Sequence, residues 1–143
     1  MKSIAILLGV LSASTAWAGP LDVKRAEARV QAIAAGDTDA LMRDYADDAY
    51  LDWVGGPLDG RYRGKAEIRA VWQKWLMAND SKARTVTVGS VEDYANPKGA
   101  TVTAEAEYAG KTTVRVWHAF VYRDGVLTSE VWQIAPGMKL ETH

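Results

Sequence analysis

The stretch VWHAFVYRDG, Val116 to Gly125, places His118 among apolar neighbours in a segment that alternates like a β-strand. His118 is one of two histidines, and the other, His143, is the last residue. An imidazole titrates near ~6.5, so a histidine on a cavity wall can move protons at neutral pH when carboxylates or tyrosines tune it. The same residue hydrogen-bonded inside a core does structural work only. Asp52 is the second catalytic candidate. In AYLDWV it falls on the strand face opposite Leu51 and Trp53, so it becomes a base only if a bulge turns it inward, where burial raises its proton affinity. Glu130 stands one step out of phase with the inward face, and a bulge in the last strand would reverse that assignment. Asp47 and Asp48 follow a helix and either end it or face solvent.

Other chemistries find little material. With no cysteine and no H-x-H or H-x-x-x-H spacing, no metal site is expected, and no cofactor is implied. Ser81, Ser90 and Ser129 lack a nucleophile-elbow context. GGPLDG, Gly55 to Gly60, is a turn without the Gly-Lys-Ser/Thr of a phosphate cradle. Lys and Arg number 17 against 18 Asp and Glu, a net charge of −1 with no basic run, which argues against nucleic-acid binding.

The elements that must position these groups fall into two blocks. Val23 to Ala35 carries Ala26, Val30 and Ile33 at helical spacing and stops at Gly36. Asp37 or Thr38 caps a short helix through Leu41 and Tyr45. AYLDWV, Ala49 to Val54, is a strand. From Lys65 to Met77, Ile68, Val71, Trp72, Trp75 and Leu76 form the apolar stripe of an amphipathic helix. The period then changes to two, giving four strands: RTVTVGSVEDY, ATVTAEAEYAG, KTTVRVWHAFVYR and VLTSEVWQI. Helices first and a meander after make the chain α+β. PGMKLETH reads as a loose tail.

The hairpins predict which side chains share a face. Asp124-Gly125 is a two-residue type I′ signal, which sets Tyr122 opposite Leu127, Phe120 opposite Ser129 and His118 opposite Val131. It also pairs Trp117 with Trp132 on the other face. A loop of Ala109, Gly110 and Lys111 sets Glu105 opposite Arg115 and puts Ala104, Ala106 and Tyr108 on the His118 face. That face is apolar and is expected to meet the helices. The Trp117 and Trp132 pair, with Val121, Val126 and Ile134, would leave an outer apolar patch and predicts a homodimer through it.

AAGDTDALMRDYADDAYLDW, RGKAEIRAVW and YRDG before a last strand together resemble the nuclear transport factor 2-like superfamily, in particular its SnoaL-like polyketide cyclase and ketosteroid isomerase branch. The resemblance runs from about Val23 to Ile134. It implies a curved, mainly antiparallel sheet covered by three N-terminal helices, a cone whose apolar pocket takes a small, mostly apolar molecule. Trp53, Tyr45, Trp72, Trp75, Tyr108 and Phe120 would line that pocket, or simply fill it. Carried over residue by residue, the general-base aspartate of ketosteroid isomerases falls on Trp53, the oxyanion tyrosine on Arg29 and the second donor on His118. The loss of base and tyrosine argues against ordinary steroid isomerisation.

MKSIAILLGVLSASTAWAGP begins the chain with the marks of a signal peptide: Lys2, an apolar stretch from Ile4 to Leu11, and Ala16-Trp17-Ala18 as an A-x-A cleavage site. The expectation is a signal peptide over 1–18 and a single domain over 19–143, periplasmic or secreted, with no membrane contact after cleavage. Two functions stand open. One is isomerisation, cyclisation or dehydration by His118-assisted proton transfer, with Asp52 as a partner. The other is a non-catalytic ligand-binding or dimeric assembly module.

Overall fold

A computed structural model describes residues 20–141. Three helices, α1 (Pro20–Ala35), α2 (Thr38–Arg43) and α3 (Gly64–Met77), pack on a six-stranded sheet. Its strands are β1 (Tyr45–Val54), β2 (Gly60–Arg63), β3 (Thr85–Asn96), β4 (Gly99–Ala109), β5 (Thr113–Arg123) and β6 (Val126–Ile134), in the order β2-β1-β6-β5-β4-β3. All neighbours are antiparallel except β1 and β6. The architecture is the expected α+β arrangement.

Local chemistry explains the boundaries. α1 stops at Gly36, whose φ of +71° suits a residue without a Cβ. Asp37 accepts from the Ala40 amide at 3.1 Å and so caps α2. α3 buries Ile68, Val71, Trp72 and Trp75 of the stripe read from its spacing, and Leu76 is half-buried. Two details differ from the sequence reading. Tyr45 opens β1 instead of closing α2, and GRYR, after the turn, pairs with β1 as a short edge strand.

The sheet register holds the main correction. Asp124 and Gly125 both take positive φ, as a type I′ turn requires, and Tyr122 does oppose Leu127. Thr128 is then an extra residue: Val121 pairs with Ser129, Phe120 with Glu130 and His118 with Trp132. This bulge reverses the parity of everything beyond it. Glu130 and Trp132, expected outside, are buried inside, and Trp117 faces Gln133. The apolar patch built on paired Trp117 and Trp132 therefore does not form.

The β4–β5 hairpin turns through Gly110, Lys111 and Thr112, two residues later in summed register than expected, so Arg115 pairs with Glu107 at 2.8 Å. Parity survives, and Ala104, Ala106 and Tyr108 share the His118 face. The expected loose tail is instead strapped to the outer sheet. The Ala135 amide donates to the Arg115 carbonyl at 2.9 Å, Arg115 Nη1 to the Met138 carbonyl at 2.8 Å, and the Glu141 amide to Glu105 Oε1 at 2.9 Å.

Candidate functional site

The cone interior is built from rings on five elements. Trp132 of β6 is its hub: it stacks on Trp53 of β1 at 4.3 Å between centroids and on Tyr108 of β4 at 5.4 Å. Trp75 and Trp72 of α3 meet it edge to face at 4.8 and 5.7 Å. Phe120 lies against His118 at 5.0 Å. Trp53, Tyr45, Trp72, Trp75, Tyr108 and Phe120, the expected lining, are all buried in one apolar cluster. Offset stacks and edge contacts of this kind add to the stabilisation from area burial alone.

His118 points inward, as expected, and is fully buried. Its Nε2 lies 2.8 Å from the Tyr108 hydroxyl, while Nδ1 has no partner among the described residues. Burial, with a smaller push from the charge of Arg29, lowers its pKa to about 3, so the ring is neutral at physiological pH. Burial likewise pushes the Tyr108 phenol well above its ordinary value. Three further buried polar atoms, Arg84 Nη1, Trp132 Nε1 and the Tyr122 hydroxyl, lack partners among the described residues.

Asp52 does not join His118. Its β2 neighbour Arg61 binds it on the outer face, with Nε to Oδ1 at 2.6 Å and Nη2 to Oδ2 at 2.9 Å. No bulge turns this part of β1, so the alternation that buries Leu51 and Trp53 keeps Asp52 outside.

A second polar centre takes the place the sequence reading left to apolar side chains. Arg29 of α1 donates through Nε and Nη2 to the two oxygens of Glu130, both at 2.9 Å. Its Nη1 reaches the Leu41 carbonyl and Asp44 Oδ2, both at 3.0 Å. Tyr45 donates to Glu130 Oε1, and Trp72 Nε1 donates to the Tyr45 hydroxyl at 2.9 Å. Burial opposes the charge on Arg29, but Glu130, Tyr45 and Asp44 outweigh it and hold the guanidinium above its ordinary value. Tyr45 is raised, first by burial, and stays a neutral donor. With both carboxylate oxygens occupied, Glu130 serves as the clamp between α1, β1 and β6. One signal for it lay in the sequence: Arg29 falls within the apolar stripe of Ala26, Val30 and Ile33, and a guanidinium there needs a buried acid.

The SnoaL-like domain family matches residues 26–130. The chain belongs to this family. Solved structures agree on the fold. A nuclear transport factor 2-like protein of unknown function from Pseudomonas putida KT2440 is 18% identical, with 85% of this chain and 90% of that one covered at a TM-score of 0.68. A cystatin-like fold from Nostoc punctiforme is 16% identical, covering 82% and 92% at 0.66. A SnoaL-like protein of unknown function from Burkholderia thailandensis is 19% identical, covering 81% and 96% at 0.62. No curated protein matches the sequence.

Proposed function

We propose that this SnoaL-like domain works by binding and not by proton-transfer catalysis. The observation that carries the reading is the state of its interior acid–base groups. His118 is neutral and bonded to Tyr108, Asp52 is held outside by Arg61, and Glu130 has both oxygens engaged. Among the described residues, no interior group is both poised to exchange a proton and open to a substrate. By resemblance, the positions of base and oxyanion tyrosine hold Trp53 and Arg29, neither of which can abstract a proton from carbon.

Isomerisation, cyclisation and dehydration next to a carbonyl all begin with removal of a proton from carbon. Deuterium uptake into enolisable ketones, followed by NMR in heavy water, is therefore the test. The expected rate with protein equals the buffer rate. Uptake faster with the wild type than with His118→Ala would overturn the binding reading.

One observation favours a second reading, with a small apolar molecule inside the cone beside His118. His118 Nδ1, Trp132 Nε1 and the Tyr122 hydroxyl are buried polar atoms without partners among the described residues, and such atoms call for water or a ligand group. On this reading, 2-undecanone shifts the His118 and Trp132 ring N–H resonances. Unmoved resonances at saturating ketone reject it.

A further inference from the structure

A groove of about 220 Å³ lies between α1 and α2, away from the cone interior. α1 contributes Arg25, Ala28, Arg29 and Ala32, which recur at helical spacing on one face, and α2 contributes Ala40 and Arg43. The three alanine methyls give the groove an apolar wall. The arginines give it charge.

The local ion pairs determine how much of that charge is available. Arg29 is spoken for by Glu130 and Asp44, and Asp44 is the one carboxylate lining the groove. Among the described residues Arg25 has a loose contact with Asp22 at 3.8 Å as its one ion pair, and its guanidinium carbon sits over the Tyr122 ring, 4.3 Å from the centroid. This cation–π contact leaves the N–H donors of the guanidinium able to meet a ligand. Arg43 forms no ion pair with any described residue.

We infer that the α1–α2 groove binds a small monocarboxylate with a short apolar body, its carboxylate held by Arg25 and Arg43 and its body laid on Ala28, Ala32 and Ala40. Planar carboxylates match the guanidinium fork. Asp44 in the wall disfavours a doubly charged anion. The volume is below the ~300–1,000 Å³ of sites for drug-sized molecules, which restricts the body to a ring or a short chain. This inference rests on the binding reading above and names where and what the domain binds.

The test is an NMR titration of purified protein with benzoate and, separately, with inorganic phosphate. Benzoate is expected to shift the Ala28, Ala32 and Ala40 methyls and the Arg25 and Arg43 Nε–H signals. Arg43→Gln, at an exposed side chain, should keep the fold and weaken benzoate about tenfold, and added salt should weaken it in the wild type. The proposal is overturned if benzoate leaves the groove signals unmoved, if Arg43→Gln binds it equally, or if phosphate binds as tightly. Deuterium uptake by ketones reports on the binding reading through a different signal, so the two can fail independently.

Discussion

Removing one partner of the Arg29–Glu130 pair strands the other charge inside the protein. Glu130→Gln or Arg29→Met should each cost about 3–5 kcal/mol in denaturant melts. The double change Arg29→Met with Glu130→Leu should recover much of that loss, because no charge is left to desolvate. A fully additive double variant would show that the pair does not act as one unit. His118 predicts a pH dependence. Between the ordinary value of 6.5 and about 3, the unfolded chain takes up a proton that the folded chain refuses. Its contribution therefore lowers stability as pH falls through that window and has no slope above it. His118→Phe leaves the Tyr108 hydroxyl unpaired, so it should be less stable than the wild type at pH 7 by about 1–3 kcal/mol. That gap should narrow at pH 4, and a gap constant from pH 7 to pH 4 would contradict the neutral buried ring.

At the scale of elements, the bulge at Thr128 decides what the last strand contributes. Deleting Thr128 would remove the extra residue while keeping Phe120 opposite Glu130 and His118 opposite Trp132, so the shortened chain should still give a cooperative melt with Glu130 and Trp132 inside; loss of the cooperative transition would show that the bulge itself is required. Gly99 makes a second prediction, since an added Cβ would lie 2.1 Å from the Tyr122 carbonyl oxygen, a backbone atom with little freedom to move. Gly99→Ala should cost about 2 kcal/mol or more. These elements also show where reading the sequence worked. The α3 stripe and the alternation of β1, β4 and β5 were legible because period alone determines which face is buried. Thr128 was not, because a one-residue bulge leaves the composition of the strand unchanged while reversing its faces. Missing it hid the partner of Arg29 and misplaced Trp132. The tail was misread for another reason: its anchors, Arg115 and Glu105, lie in distant strands and carry no local signal.

For the whole molecule, export and assembly remain as expectations with direct measurements. Cleavage after Ala18 would leave α1 whole, since it begins at Pro20. Intact-mass analysis of protein exported by a bacterial host should give a chain starting at Gly19, and a secreted chain retaining Met1 would reject the signal peptide. Trp117, still 38% exposed on the outer sheet, lies near Ala119, Val121 and Val131, a smaller apolar surface than one containing Trp132. If two copies pair there, light scattering at micromolar concentration should give a dimer that Trp117→Glu converts to monomer. A monomeric wild type would end that proposal.

The ring cluster around Trp132 also has an optical consequence. Indoles stacked at 4.3 Å, as Trp53 and Trp132 are, share their excited states, and Trp72 and Trp75 lie close enough to join them. The folded protein should therefore show an exciton couplet in circular dichroism and strong energy transfer among the four interior indoles. Trp117, apart on the outer face, should emit at longer wavelength, so a single spectrum separates melting of the cone from events on the sheet surface.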